Sequence, residues 1–101
     1  MPPQKPVARG ALLQTAAEES TVAWRQFEPG RWRLKSRPTA RIAYTVFVES
    51  VSDGFQVLIK VADGDHMPQV VGHIAGADIE AARTAFAHGE RAYVELEAQH
   101  G

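Results

Sequence analysis

Residues 40–62 read ARIAYTVFVESVSDGFQVLIKVA and contain the clearest pair of elements in the chain. Apolar side chains recur at every second position on both sides of a central turn, at Ile42, Tyr44, Val46 and Val48 and then at Phe55, Val57, Ile59 and Val61. Asp53-Gly54 favours a two-residue type I′ turn between them. That turn sets Val48 opposite Ile59 and Val46 opposite Val61, so both apolar sets share one face. The pattern predicts an antiparallel hairpin of strands 40–49 and 55–62.

Two further strands are predicted before this hairpin. Residues 21–27 and 31–35 both have β character, and Glu28-Pro29-Gly30 between them is typical of a turn. Ahead of them, residues 11–19 (ALLQTAAEE) consist of strong helix formers and predict a short helix. Residues 1–10 hold three of the six prolines and little apolar surface. We therefore expect residues 1–20 to be a flexible tail with a possible short helix, and residues 21–101 to be a single α+β domain.

The C-terminal part of the chain predicts a strand, a helix and a closing strand. Residues 69–74 suit a short strand, and residues 78–88 place Ile79, Ala82 and Phe86 on one helical stripe. Gly89 follows this helical stretch at the position where a C-cap residue in the left-handed conformation is usually glycine. Residues 91–97 then alternate between apolar and polar side chains, as in a strand. The predicted order is (α)βββββαβ. This order indicates an α+β fold with a mostly antiparallel five- to six-stranded sheet, or a small barrel, and one packed C-terminal helix.

Residues 57–98 combine a strand, a glycine turn, the run Val70-Val71-Gly72-His73-Ile74, a helix and a strand. In this order the stretch resembles the second half of HIRAN domains, a family of small DNA-binding β modules. The resemblance covers under half of the chain. The family's asparagine-to-aspartate segment before the strand has no counterpart, because the chain contains no asparagine. We do not assign the chain to this family.

Composition and motifs exclude several classes of protein. The chain has no cysteine, which excludes disulfide scaffolds, thiol nucleophiles, zinc ribbons and iron–sulfur sites. It shows no apolar run of membrane-spanning length and no signal-peptide pattern, so we expect a cytoplasmic protein. Eight arginines against three lysines, beside sixteen alanines, suggest a GC-rich bacterial source.

No catalytic motif is present: nucleophile elbows, P-loops, GxGxxG turns and HExxH helices are all missing. Asp63, Asp65 and His66 could offer two carboxylates and an imidazole to a divalent cation, but a polar turn explains this composition better. We therefore expect neither an enzyme nor a cofactor or metal.

Charge is segregated along the chain. Residues 25–41 carry six cations and only one carboxylate, a net charge of +5, whereas residues 42–101 carry three cations and nine carboxylates, a net charge of −6. Such asymmetry is a hint of an anionic partner. The competing interpretation is that the two halves neutralise each other within the fold or across a dimer interface.

Strand alternation puts the cations of residues 31–35 on one face and Trp32 and Leu34 on the other, so both tryptophans are better suited to the core than to stacking on bases. The cationic face should continue through Arg41 and Phe47 on the next strand and through Leu58 and Lys60 on its partner. The candidate binding residues are Arg25, Arg31, Arg33, Lys35, Arg37, Arg41, Phe47 and Lys60.

A basic face with an aromatic side chain predicts a small non-enzymatic module that binds nucleic acid, single-stranded by preference, since Phe47 could stack on an unpaired base. The alternative is a protein-interaction or inhibitory accessory protein, expected to form a homodimer, that uses the same face against an acidic protein partner.

Overall fold

The computed structural model describes residues 9–61 and 67–101. The element order is α1 (Arg9–Glu19), β1 (Arg25–Glu28), β2 (Arg31–Lys35), β3 (Tyr44–Val51), β4 (Gly54–Val61), β5 (Gln69–Ala75) and α2 (Ile79–His100). The five strands form one antiparallel sheet whose spatial order follows the chain, β1-β2-β3-β4-β5.

Both helices pack on the same face of the sheet. The alternating apolar residues of β2, β3 and β4 point toward them, and the largest fully buried side chains are Phe55, Leu13, Val46, Val48 and Val57. The predicted α+β class, with an antiparallel sheet and a packed C-terminal helix, is confirmed. Of the two predicted architectures the open sheet is the observed one, since β1 and β5 are the edges and do not pair with each other.

The hairpin of β3 and β4 forms, but its predicted register is wrong. Val51 pairs with Gly54, so Ser52-Asp53 is the turn, and Val48 lies opposite Val57 instead of Ile59. Neither turn residue has a positive φ, which a type I′ turn requires at both positions. Gly54 instead lies against β5, where an added Cβ would meet the Ile74 carbonyl oxygen at 2.1 Å. Because the pairing shifts by two residues, every side chain keeps its predicted face.

The predicted closing strand 91–97 is wrong, because α2 runs without interruption from Ile79 to His100. Gly89 is therefore not a C-cap: it lies inside the helix, buried against Trp24 and Val48. The predicted inner stripe is confirmed, with Ala82 fully buried and Phe86 3% exposed. With the last strand replaced by helix, the final element of the resemblance to HIRAN domains is lost.

The short N-terminal helix is observed two residues earlier than predicted and packs into the core through Leu13, Ala16 and Ala17. Of the expected tail, residues 1–20, the first eight lie outside the described residues. The first strand is shorter than predicted, Arg25–Glu28 instead of 21–27, and it contains a β-bulge between Gln26 and Glu28.

Candidate nucleic-acid interface

The face of the sheet turned away from both helices carries most of the predicted binding residues. We call it the open face. It consists of Arg25, Phe27, Glu28, Arg31, Arg33, Lys35, Thr45, Phe47, Glu49, Gln56, Leu58, Lys60, Val70 and His73, as the strand registers place them.

Strand pairing arranges these side chains in three rows that run across the sheet. The central row is Arg25, Arg33, Phe47, Leu58 and Val70. The basic row is Lys35, Thr45 and Lys60. The polar row is Glu28, Arg31, Glu49, Gln56 and His73. The apolar part of the central row, Phe47, Leu58 and Val70, therefore lies between a row with two lysines and a row of charged and hydrogen-bonding groups.

Phe27 lies on the open face two residues after Arg25, and the bulge in β1 brings Glu28 to the same face opposite Arg31. Its ring makes an edge-to-face contact with Phe47, with centroids 5.8 Å apart. The guanidinium groups of Arg33 and Arg31 lie 5.1 Å and 5.3 Å from the Phe27 ring centroid, within range of cation–π attraction. Phe27 was not among the predicted site residues, although alternation from Arg25 along β1 places it on the same face.

Phe47 lies at the centre of the open face and is half-buried. It pairs with Arg33 on one side and with Leu58 on the other. Leu58 is only 7% exposed, although it lies on the helix-free face. The centre of this face is thus a small apolar surface on which a flat ring could rest.

Arg31 is largely neutralised by its neighbours. Its guanidinium donates to Glu28 at 2.9 Å and to Glu49 at 3.0 Å. These hydrogen bonds raise the pKa of Arg31 above its ordinary value. Glu49 is two residues after Phe47, so the sequence alone places it on the same face of the sheet. Its pairing with Arg31, however, depends on the register of β2 with β3. Arg31 links β1, β2 and β3, and it is a weak candidate for an external anion.

Four other cations of the open face form no ion pair within the described residues. They are Arg25, Arg33, Lys35 and Lys60. Arg25, Lys35 and Lys60 are exposed, and Arg33 is half-exposed beside Phe27. These four side chains supply an unbalanced positive charge around the apolar centre.

Arg37 and Arg41 lie elsewhere, near the C-terminal end of α2. The expectation that the cationic face continues through Arg41 is wrong, because β3 begins at Tyr44. The Arg41 backbone N–H donates to His100 at 2.8 Å and its guanidinium donates to the Gln99 carbonyl at 3.1 Å. Arg37 lies 3.7 Å from Glu97. Cations suit a helix C-terminus because its last carbonyls lack partners.

The remaining candidates divide between the core and the surface. Trp24 and Trp32 are 7% and 8% exposed, which confirms them as core residues. His73 lies 3.0 Å from Asp53, and this hydrogen bond lowers the pKa of the Asp53 carboxyl. Asp63, Asp65 and His66 lie outside the described residues. Elsewhere in the described chain no cluster of three histidine or acidic side chains could hold a metal.

No family model, curated protein or solved structure matches the chain. Within residues 9–61 and 67–101, neither helix has the length and apolarity needed to cross a membrane.

Proposed function

We propose that the chain is a small non-enzymatic binding module whose open face binds single-stranded nucleic acid. One observation carries the proposal: Arg25, Arg33, Lys35 and Lys60 share a helix-free face with Phe47 and have no ion-pair partners in the described part of the chain. Cations of this kind bind phosphates, and an aromatic ring among them binds the face of a base.

The three rows suggest how a strand would lie. Phosphates would follow the basic row, where Lys35 and Lys60 lie on either side of Thr45. Bases would then cover the central row at Phe47 and Leu58. The carboxylates Glu28 and Glu49 repel phosphates, so the polar row would face base edges instead. A duplex hides the faces of its bases, which is why the proposal specifies a single strand.

A second candidate uses the same face against an acidic protein. The β5 end of the central row favours this protein partner, because Val70 there is 52% exposed and is aliphatic, with no ring on which a base could stack. An acidic peptide with one apolar side chain would satisfy both the cations and this end of the row.

The test is fluorescence anisotropy with a labelled single-stranded oligonucleotide at low salt. Arg33→Glu should weaken binding strongly, and Arg33→Glu with Lys60→Glu should abolish it, because both reversals add repulsion toward phosphates. Arg37→Glu is the matched control. It reverses one charge of the same basic segment away from the open face, and it should have a small effect.

Far-ultraviolet circular dichroism verifies that each variant remains folded. If the wild-type protein binds no oligonucleotide at low salt, the nucleic-acid proposal is wrong. Binding of a labelled acidic peptide that is lost in Arg33→Glu but kept in Arg37→Glu would then support the protein-partner alternative.

A further inference from the structure

The two edges of the sheet are protected to very different degrees. β1 has four residues, carries Arg25 and Glu28, and is bulged. β5 has seven residues, Gln69–Ala75, with no Asp, Glu, Lys or Arg among them. Short length, charge and bulges are the usual means by which an edge strand avoids pairing with another chain. β5 has a bulge beside Val57 but neither of the other two protections.

Exposed apolar side chains concentrate at β5. The large hydrophobic residues exposed in the described part of the chain are Met67 (86%), Val70 (52%), Val71 (36%) and Val94 (63%). Two of these four are in β5 and a third, Met67, comes just before it. A clustered apolar patch of this kind marks an interaction surface.

The patch continues into a groove between β5 and α2. Ile59, Ala92 and Leu96 contribute its apolar lining, and Arg91 and Glu95 lie on its helical side. Arg91 and Glu95 are one helical turn apart and have opposite charge. Neither forms an ion pair within the described residues. Such a pair is self-complementary about a two-fold axis, which can bring each Arg91 toward the other copy's Glu95.

We propose that two copies of the chain associate through β5, pairing antiparallel to form a continuous ten-stranded sheet. A second copy suits this edge better than an unrelated peptide because the strand is free of charged side chains and the adjacent helix face is electrostatically self-complementary. Alternate residues of an edge strand direct their N–H and C=O groups outward, so the pairing satisfies them. His88 of α2 lies beside this strand, with its Nε2 atom 3.2 Å from the Val71 carbonyl oxygen.

The symmetry of this dimer fixes the relation between its surfaces. Antiparallel pairing in a continuous sheet requires a two-fold axis perpendicular to the sheet, so both helical layers fall on one side. The two open faces then lie side by side on the other. The dimer does not depend on the proposed function, but it would double the basic surface available to an extended polyanion.

Sedimentation velocity of the full chain over a wide range of concentration tests this proposal. Wild type should sediment with a mass of twice 11.1 kDa. Val71→Lys should shift the species to the monomer mass, because the two-fold axis brings the two added charges close together. Val70→Lys is a second edge variant and should act in the same direction.

Val94→Lys is the matched control, since it adds the same charge at an exposed valine of α2 and should leave the dimer intact. Circular dichroism verifies the fold of all three variants. A wild-type protein that stays monomeric at the highest concentration overturns the proposal, as does a dimer that persists in both edge variants. Neither outcome depends on whether oligonucleotides bind.

Discussion

At the scale of single residues, Gly89 shows how packing overrides intrinsic preference. A glycine inside a helix normally costs about 0.5 to 1 kcal/mol relative to alanine. At Gly89, however, an added Cβ would lie 2.9 Å from Trp24 Cη2 and 3.3 Å from Val48 Cγ2. The Trp24 ring has little freedom to move, since its Nε1 donates to Glu90 and it packs edge-to-face on Phe86 with centroids 5.0 Å apart.

We therefore expect Gly89→Ala to destabilise the protein by about 1 to 2 kcal/mol, because the overpacking outweighs the gain in helix propensity. Urea unfolding measures the change. Ala87→Gly is the control, at an exposed position two residues earlier in α2. It should lower the free energy of unfolding by about 1 kcal/mol, because glycine has a lower helix propensity than alanine and no packing contact changes. A Gly89→Ala variant more stable than wild type would contradict the close packing of α2 on Trp24.

Phe86 is the second residue whose effect on stability is predictable. It is 3% exposed and contacts both Trp24 and Trp32 edge-to-face. Phe86→Ala should lower the free energy of unfolding by about 3 to 5 kcal/mol, because it leaves a cavity between two rigid rings. The urea midpoint should fall accordingly. Val94→Ala, at a position 63% exposed, should leave the midpoint nearly unchanged.

At the scale of elements, the two helices are joined by Arg83. Its guanidinium donates to both carboxylate oxygens of Glu19, at 2.7 Å and 3.0 Å, and to Glu80 at 2.6 Å. Glu80 and Arg83 are three residues apart in α2, a spacing that favours such an ion pair. Glu19 is the last residue of α1, so this bidentate contact attaches α1 to α2. The hydrogen bonds from Arg83 lower the pKa of Glu19 below 4.5.

The lowered pKa predicts a specific loss of stability in acid. Because the folded pKa of Glu19 lies below its unfolded value, its contribution is fully present above pH 4.5 and disappears as the pH falls through the folded pKa. Glu19→Gln should be slightly less stable than wild type at neutral pH, and it should lose less stability on acidification. Thermal melting as a function of pH measures both effects. Glu18→Gln is the control, because the Glu18 carboxylate forms no ion pair among the described residues. Its melting temperature should depend on pH as that of wild type does.

The elements differ in how far the sequence predicts them. The β3–β4 hairpin and the first half of α2 were predictable because each depends on a local periodicity that the core then satisfies. The second half of α2 was not. Residues 91–97 alternate like a strand, and Gly89 resembles a helix end, whereas the close approach of Trp24 that requires this glycine is a tertiary contact. The hairpin register failed for a similar reason, since Gly54 is required by its approach to β5 and not by the turn.

The sequence predicted which face of the sheet holds the candidate site, but it did not predict which cations of that face are neutralised. Alternation placed Arg31, Arg33, Lys35, Phe47 and Lys60 together, as the structure shows. The neutralisation of Arg31 depends on Glu49 in another strand, and the placement of Glu28 opposite Arg31 depends on a bulge. Arg37 and Arg41 diverge from the face because the chain turns toward α2 before β3 begins. Pairing between strands is the information that a single-strand pattern lacks.

At the scale of the whole molecule, the open sheet separates the core that stabilises the fold from the proposed binding face. The helix-covered face holds the buried apolar side chains, while the open face holds four cations that no described carboxylate balances. Substitutions on the open face can therefore change binding with little effect on the core. The cations and the Phe47 ring should also contribute independently to the proposed binding, because salt screens the attraction of cations to phosphates but not the stacking of a base on a ring.

This separation yields a prediction that distinguishes the two contributions. For single strands the logarithm of affinity falls with the logarithm of salt concentration, with a slope of about −0.7 for each phosphate neutralised. Lys60→Gln should make that slope shallower by about 0.7, since it removes one cation of the basic row. Phe47→Ala should leave the slope unchanged and weaken binding by about 1 to 3 kcal/mol at every salt concentration, since it removes the stacking ring.

Anisotropy titrations at several salt concentrations measure both quantities, with thermal melting to show that Phe47→Ala remains folded. A slope unaffected by Lys60→Gln would exclude the basic row as the phosphate path. An affinity unaffected by Phe47→Ala would mean that the open face attracts the strand by charge alone, without binding its bases.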